Sequence, residues 1–107
     1  MTNVRQTDEF RDWIRNLRDR TGRGIIIRRI KRFAQGNPGD TRNVGGGVFE
    51  LRIHFGPGYR VYFVRRGIEI IVLLCGGDKG SQQSDIAKAK KLAGEEVETN
   101  EFEDDRI

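Results

Sequence analysis

The chain is poor in the residues that build disulfides, metal centres and membrane spans. Its 107 residues include one cysteine and one histidine, so an internal disulfide and a zinc cluster of Cys and His are both excluded. The longest apolar run, residues 70–75, has six residues, far fewer than the ~20 that cross a bilayer. The first ten residues are polar and partly acidic, unlike a secretory signal. These absences predict a cytoplasmic protein without a metal or other cofactor, in which Cys75 is a buried structural thiol.

Two common catalytic signatures are also missing. The three glycines at 45–47 are not followed by the Lys and Ser or Thr that complete a phosphate-binding loop, so we interpret them as part of a turn. The chain also has no Gly-x-Ser-x-Gly motif, which would place a serine nucleophile on a strained strand-to-helix turn. The sequence therefore gives no support to nucleotide hydrolysis or serine-hydrolase chemistry.

Charge is divided unevenly along the chain. Residues 1–94 contain 19 Lys or Arg and 9 Asp or Glu, whereas residues 95–107 contain 1 Arg and 7 acids. We interpret residues 1–94 as one basic domain and residues 95–107 as an acidic, disordered tail, with folding of the tail over the basic surface as the alternative. A basic domain of this kind attracts nucleic acid or an acidic protein surface.

Apolar spacing predicts two helices in the first third of the chain. Thr7 or Asp8 can cap a first helix, whose apolar stripe has i, i+3, i+4, i+7 spacing. That stripe consists of Phe10, Trp13, Ile14 and Leu17. We expect Thr21-Gly22 to end this helix and a second helix to cover 23–35, stopped by the Gly/Pro-rich segment 36–40. The two helices would form an antiparallel hairpin.

Three strands and a last helix are predicted in the remainder. Period-two apolar patterns and Gly-containing turns indicate antiparallel strands at 48–55, 59–66 and 68–75, after a Gly-rich turn at 41–47. A helix starting at Ser81 or Ser84 would end near Gly94, and a short strand at 3–6 has only weak support. The predicted fold is α+β: an N-terminal helical hairpin packed on a small, mainly antiparallel sheet, with a C-terminal helix.

Basic and aromatic side chains are concentrated on the predicted sheet. Alternation places Arg52 and His54 on one face, together with Arg60 and Tyr62 of the next strand, and Lys79 follows the third strand. Arginine binds phosphate through paired N–H groups, and a tyrosine ring can stack on a base. The plainer interpretations are a solvated sheet face and, for His54, a structural role. A second basic patch is either the solvated face of the second helix or a nucleic-acid backbone contact; it consists of Arg28, Arg29, Lys31 and Arg32.

The order of these elements and several short motifs resemble the RelE/ParE superfamily of bacterial toxins, in particular the addiction module killer group close to HigB toxins. The resemblance covers about residues 10–92. It is carried by Gly36-Asn37-x-Gly39-Asp40, Glu50-Leu51-Arg52, Gly56-Pro57-Gly58-Tyr59-Arg60-Val61-Tyr62, Leu74-Cys75-Gly76-Gly77-Asp78-Lys79, Gln82 and Asp85-Ile86.

The resemblance implies a toxin that cuts messenger RNA in the ribosomal A site by attack of a ribose 2′-hydroxyl on the adjacent phosphate. By this resemblance, the basic catalytic positions are matched by Arg52, Arg60 and Lys79. Arg52 and Arg60 would stabilise negative charge on the reacting phosphate. Lys79 would either stabilise the same charge or transfer a proton. His54 and Asp85 are the alternative proton carriers, by likeness to HigB-type toxins. Glu50 departs from the pattern, because it stands where RelE has a second basic residue. Tyr59 and Tyr62, with Arg28, Arg29 and Arg32, are the predicted RNA-binding residues.

The resemblance also implies the partners. A co-encoded antitoxin, of the helix-turn-helix type that accompanies HigB-like toxins, would bind the basic domain, and the substrate would be messenger RNA on the ribosome. Two alternatives stay open from sequence. One is a non-catalytic, ParE-like inhibitor of DNA gyrase, and the other is a non-toxic partner-binding module that shares the fold.

Overall fold

Six strands and three α-helices make up the part of the chain that is described, and a strand is the first of them. This computed structural model describes residues 2–95 and 97–102. The elements are β1 (Asn3–Thr7), α1 (Asp8–Asn16), α2 (Arg20–Ala34), β2 (Thr41–Gly45), β3 (Val48–Ile53), β4 (Tyr59–Arg66), β5 (Ile70–Asp78), α3 (Gln82–Gly94) and β6 (Thr99–Glu101). A single turn of 3₁₀ helix, Lys79–Ser81, connects β5 to α3.

The strands form one mixed sheet in the order β2-β3-β4-β5-β1-β6. Strand β1 lies parallel to β5 and antiparallel to β6, and the β2-β3-β4-β5 pairs are antiparallel. The protein is therefore a mixed α+β structure, but the predicted helical hairpin on a small sheet is wrong. The strand at the amino terminus is polar and pairs with a strand far along the chain, so its local pattern gave little sign of it.

The boundary between α1 and α2 lies earlier in the chain than predicted. Thr7 caps α1 as expected, because its hydroxyl accepts a hydrogen bond from the Phe10 amide at 3.1 Å. Helix α2 begins at Arg20, three residues before the predicted start, because the Asp19 carboxylate caps it through the Gly22 amide at 2.9 Å. The predicted break at Thr21-Gly22 is therefore wrong, and both residues lie inside α2.

Both edges of the sheet come from segments predicted to lack structure. Thr41–Gly45 was expected to be a turn but forms β2, which pairs with β3 through a bulge between Asn43 and Gly45. Thr99–Glu101 lies in the segment expected to be a disordered tail but pairs with β1, where the Arg5 guanidinium donates to the Thr99 hydroxyl at 2.8 Å. The expectation of disorder is wrong for these three residues, and residues 103–107 lie outside the described part of the chain.

Helices cover both faces of the sheet. On one face, α1 and α2 pack against apolar side chains of β3, β4 and β5, forming a cluster that includes Ile30, Leu51 and Phe63. On the other face, α3 covers a second cluster that includes Tyr62 and Leu74. A sheet covered on both sides exposes its functional side chains mainly at the strand ends, so the ends of β3, β4 and β5 define the accessible surface.

Two glycines in α2 provide a matched test of this packing. A methyl group at Gly22 would lie 2.5 Å from the Asp19 carboxylate and 2.7 Å from the Tyr59 ring, whereas one at Gly24 would meet no atom within 4 Å. Gly22→Ala should lower the free energy of unfolding by about 1–3 kcal/mol through overpacking. Gly24→Ala should raise it by about 0.5–1 kcal/mol through helix propensity. Urea denaturation measures both changes, and equal effects would contradict the packing described for Gly22.

Candidate functional site

Basic side chains from three strand ends line an open concavity of about 550 Å³. We call this concavity the cationic groove. It is lined by Arg52, His54, Phe55, Gly56, Pro57, Gly58, Arg60 and Lys79. The strand register explains why these residues meet, since Arg52 pairs with Arg60 across β3 and β4, and Arg60 pairs with Gly77 of β5. Directly opposed residues in an antiparallel pair have Cα atoms only about 4.5–5.5 Å apart.

One side of the groove is organised by Asp40, which lies just before β2. The Arg52 guanidinium donates to Oδ1 of Asp40 from Nη2 at 2.8 Å and from Nε at 3.2 Å. The His54 Nε2 lies 2.5 Å from Oδ2 of the same carboxylate. These hydrogen bonds, first from Arg52 and then from His54, lower the pKa of Asp40, and the carboxylate in turn raises the pKa of Arg52. His54 remains 71% exposed on its side chain.

The floor of the groove is formed by Arg60. Its side chain is only 9% exposed, and its Nη1 donates to the Gly58 carbonyl at 3.2 Å. Gly58 has φ of +81°, and a Cβ there would lie 3.4 Å from Arg60 Nη1 and 3.5 Å from Lys79 Cβ. The positive φ favours glycine at this turn, which lies against both Arg60 and Lys79. Lys79 is exposed at the rim.

Asp85, a predicted proton carrier, does not line the groove. It is 7% exposed at the start of α3, where its Oδ2 accepts a hydrogen bond from the Ser81 hydroxyl at 2.5 Å. Ser81 also takes part in a capping box with Asp78 around the 3₁₀ turn that begins with Lys79. The contacts of Asp85 are thus those of a residue that supports the turn carrying Lys79.

Neither predicted stacking tyrosine is accessible. Tyr59 is 5% exposed, and its hydroxyl donates to Asp19 at 2.8 Å; burial, and then that carboxylate, raise its pKa to about 12. Tyr62 is fully buried, donates to Glu50 at 3.0 Å, and has its pKa raised mainly by burial. The prediction that these rings stack on bases is wrong in this conformation, because α1 and α3 cover the faces on which they lie.

The second predicted basic patch lies on a different surface. Arg28 and Arg32 line a shallow depression on the outer face of α2, together with Lys31 and Gln35. Arg29 points to the loop that leads to β2, because a Cβ at Gly39 would lie 2.0 Å from its Nη2. Helix α2 packs on the sheet face opposite α3. Arg28 and Arg32 are therefore separate from the cationic groove, whereas Arg29 lies beside Gly39, the residue that precedes Asp40.

Two acidic residues of the site were not identified from sequence. Asp40 was interpreted only as part of a helix stop, although it belongs to one of the motifs that carry the family resemblance. Glu50 was noted as part of the Glu50-Leu51-Arg52 motif and as a departure from the catalytic pattern, but not as a counter-charge, yet it lies fully buried 3.8 Å from Arg60 Nε. The signal that could have revealed them is the number of arginines in β3 and β4, since cations packed this closely require counter-charges.

Other chemistry has little support in residues 2–95 and 97–102. Cys75 is 1% exposed, and burial raises its pKa to about 12, so its thiol is not poised as a nucleophile. Within these residues no group of three or more His, Cys, Asp or Glu is placed to hold a metal ion. None of the helices described there is long and apolar enough to span a membrane.

Comparison with known proteins identifies the family to which the chain belongs. Residues 12–97 match the family described as phage-derived protein Gp49-like (DUF891), and the chain belongs to that family. It is a toxin–antitoxin-associated toxin family related to RelE-type addiction toxins. An uncharacterized protein of Haemophilus influenzae is 45% identical over 92 residues, which cover 86% of this chain and 93% of that protein. Membership implies an antitoxin partner, while nothing in the match is specific to HigB-like toxins.

The lowered pKa of Asp40 predicts an acid-sensitive contribution to stability. A carboxyl group whose pKa is lower in the folded state stabilises the protein above its ordinary pKa, here 3.8, and loses that effect as the pH falls through the folded-state value. The difference in unfolding free energy between wild type and Asp40→Asn should therefore be largest near neutral pH and shrink below about pH 4. Urea titrations across this pH range measure it. Arg52→Gln should flatten the same dependence, and curves that stay parallel to wild type would contradict the Asp40–Arg52 linkage.

Proposed function

We propose that this protein is the toxin of a type II toxin–antitoxin pair and that it inhibits translation by cutting messenger RNA on the ribosome. The observation that carries the proposal is the convergence of Arg52, His54, Arg60 and Lys79 on one open groove. Family membership supports the toxin role, and the groove supports the chemistry. Phosphodiester cleavage by an internal 2′-hydroxyl requires cations that stabilise negative charge and a group that transfers protons. The groove brings together three cations and an exposed imidazole.

The proposed reaction transfers the phosphoryl group within the RNA. The 2′-oxygen forms a bond to the adjacent phosphorus, the bond from phosphorus to the 5′-oxygen breaks, and the products carry a 2′,3′-cyclic phosphate and a 5′-hydroxyl. Negative charge builds up on the non-bridging oxygens in the transition state. Arg60 on the floor and Lys79 at the rim are placed to stabilise that charge, and Arg52 adds a third cation on the opposite wall. This chemistry requires positioning and charge neutralisation, with no bound metal in any step.

His54 is the best-placed group to move the protons. Asp40 holds its Nε2, so Nδ1 is left to accept the proton of the 2′-hydroxyl as the neutral ring. A carboxylate that orients an imidazole in this way also stabilises the imidazolium that forms. Lys79 would then protonate the departing 5′-oxygen or act only as a cation. Because Asp85 is buried against Ser81, we assign it no proton transfer.

The basic surface of α2 suits a positioning role on the ribosome. Arg28 and Arg32 are exposed on the outer face, away from the groove. Contacts of such residues with phosphates fix the orientation of a protein on RNA without reading its sequence. We therefore propose that Arg28, Arg29 and Arg32 contact ribosomal RNA backbone while the groove holds the message. A ribosomal substrate places the activity in the cytoplasm.

Replacing the arginine on the groove floor should abolish toxicity. Arg60→Ala removes charge stabilisation at the reacting phosphate, and losing one such preorganised donor typically slows an enzyme about 100- to 1,000-fold. The matched control is Arg66→Ala, at the opposite, exposed end of β4. After brief induction, primer extension should reveal cut transcripts for wild type and Arg66→Ala but not for Arg60→Ala, with growth resuming only in the last.

Three results would contradict this proposal. Full toxicity of Arg60→Ala would remove Arg60 from the reaction. Growth arrest with an intact transcript pool and blocked DNA supercoiling would favour the ParE-like, gyrase-inhibiting alternative. Normal growth despite accumulation of soluble wild-type protein would favour a non-toxic partner-binding module.

The proposed antitoxin should bind mainly through charge. Its gene is expected next to this one and to encode a helix-turn-helix DNA-binding protein with acidic segments that meet the basic domain. Size-exclusion chromatography of the mixed proteins should give one complex at low salt. Attraction between exposed charges is screened within about 3 Å at 1 M salt, so the dissociation constant should rise as salt is added. Separate elution of the two proteins at low salt would contradict the pairing.

A further inference from the structure

The carboxylate of Glu50 is enclosed in the protein beneath the cationic groove. Glu50 is fully buried in β3, two residues before Arg52 and directly opposite Tyr62 of β4. An ionised carboxylate loses its hydration in such a place and is tolerated only where hydrogen bonds and positive charge replace the water. The neighbours of Glu50 therefore indicate which side chains its charge stabilises.

Four side chains from three other elements surround this carboxylate. Oε2 accepts hydrogen bonds from the Gln82 amide at 2.7 Å and from the Tyr62 hydroxyl at 3.0 Å. Arg42 Nη2 of β2 lies 3.3 Å from Oε1, and Arg60 Nε lies 3.8 Å from Oε2. The two neutral donors come from α3 and β4, so the carboxylate is held in place by groups that do not themselves line the groove.

Arg60 depends on that carboxylate for its counter-charge. Its side chain is 9% exposed, and the hydrogen bonds described for its Nη1 go to main-chain oxygens, those of Gly58 and Tyr59. Arg52, directly opposite, is already paired with Asp40. Without a negative charge beneath it, the Arg60 guanidinium would gain by leaving the groove floor for water.

We propose that Glu50 is a positioning residue, which keeps the Arg60 guanidinium on the groove floor through its buried charge, with Gln82 and Tyr62 holding the carboxylate in place. The inference rests on the proposed function and adds a residue to its site. Glu50 does not touch RNA in this arrangement, because it lies under Arg60. We therefore expect its effect on cleavage to pass through Arg60, whose Nε lies 3.8 Å from the carboxylate.

The first experiment is a double-mutant cycle measured on ribosome-bound message. Glu50→Gln keeps the shape of the side chain and removes its charge, so kcat should fall about 10- to 100-fold, as expected for a displaced catalytic group, while KM changes little. The same substitution made in an Arg60→Ala background should have no further effect. Glu69→Gln removes an exposed carboxylate at the far end of the sheet and should leave kcat unchanged. Equal losses from Glu50→Gln in both backgrounds would overturn the inference.

A second, less disruptive pair of substitutions tests the same inference if the Glu50→Gln variant does not fold. Gln82→Ala removes one hydrogen bond to the carboxylate at the partly exposed start of α3, and Gln83→Ala removes a neighbouring exposed amide. Loss of one hydrogen bond corresponds to about a 3- to 10-fold change, which we expect in kcat for Gln82→Ala only. Identical kcat values for the two variants would overturn the role assigned to Gln82 and Glu50.

A nuclear magnetic resonance measurement separates this inference from the proposed reaction. The ¹⁵N signal of the Arg60 Nε–H group reports its surroundings in the free protein, whether or not RNA is cut. Glu50→Gln should shift that signal and speed its exchange with water, and Glu69→Gln should not. If the wild-type protein cuts no message, the proposed function is wrong. The Arg60 signal can still be measured in that case, and it tests the positioning role of Glu50 by itself. An unchanged Arg60 signal in Glu50→Gln would overturn the positioning role.

Discussion

The site depends on the register of β3 and β4, which places Arg52 directly opposite Arg60. Like charges facing each other across an antiparallel pair repel and destabilise the sheet. A carboxylate lies beside each of these two arginines: Asp40 beside Arg52, and the buried Glu50 beside Arg60, where Glu50 also pairs with Arg42 of β2. Arg52 and Arg60 therefore both face the cationic groove. The neighbouring carboxylates offset the repulsion that two opposed arginines would otherwise cause.

The two carboxylates give the arginines different properties. Arg52 shares the partly exposed Asp40 with His54, so under the proposed function a phosphate entering the groove can take over part of that pairing from the carboxylate. Glu50 is enclosed by Tyr62 and Gln82 and cannot be displaced by a ligand. The groove therefore combines a fixed cation on its floor with a cation and an imidazole on its wall whose contacts can rearrange.

Local patterns in the sequence predicted the elements whose partners are close in the chain. Alternation placed Arg52 and His54 on one face of β3, a Gly-containing turn between 55 and 59 indicated the hairpin to β4, and Thr7 was one of the two candidate helix caps. The same alternation brought Arg52, Arg60 and Lys79 into one hypothesis. Alternation cannot show which helices cover each face of the sheet. Tyr62 was therefore assigned to a solvent-accessible face, although α3 buries it.

The elements that were missed or only weakly indicated are those stabilised by distant partners. Strand β1 is short and polar, and it forms because β5 and β6 supply hydrogen bonds on both its sides. Strands β2 and β6 contain glycine or acidic residues with little strand preference, and pairing with a neighbouring strand overrides that preference. The roles of Asp40 and Glu50 were not predicted for the same reason, since a carboxylate acquires its role only from the arginines that the fold places beside it.

The central claim is that the groove cleaves RNA through an internal 2′-hydroxyl, and the chemistry of the new ends tests it most directly. Purified protein would be added to a reconstituted translation reaction, and the 5′ ends of the message fragments would be analysed with and without prior phosphorylation by a kinase. The account predicts fragments that begin with a 5′-hydroxyl and end in a 2′,3′-cyclic phosphate. Fragments beginning with a 5′-phosphate, or a message that stays intact at saturating protein, would contradict it.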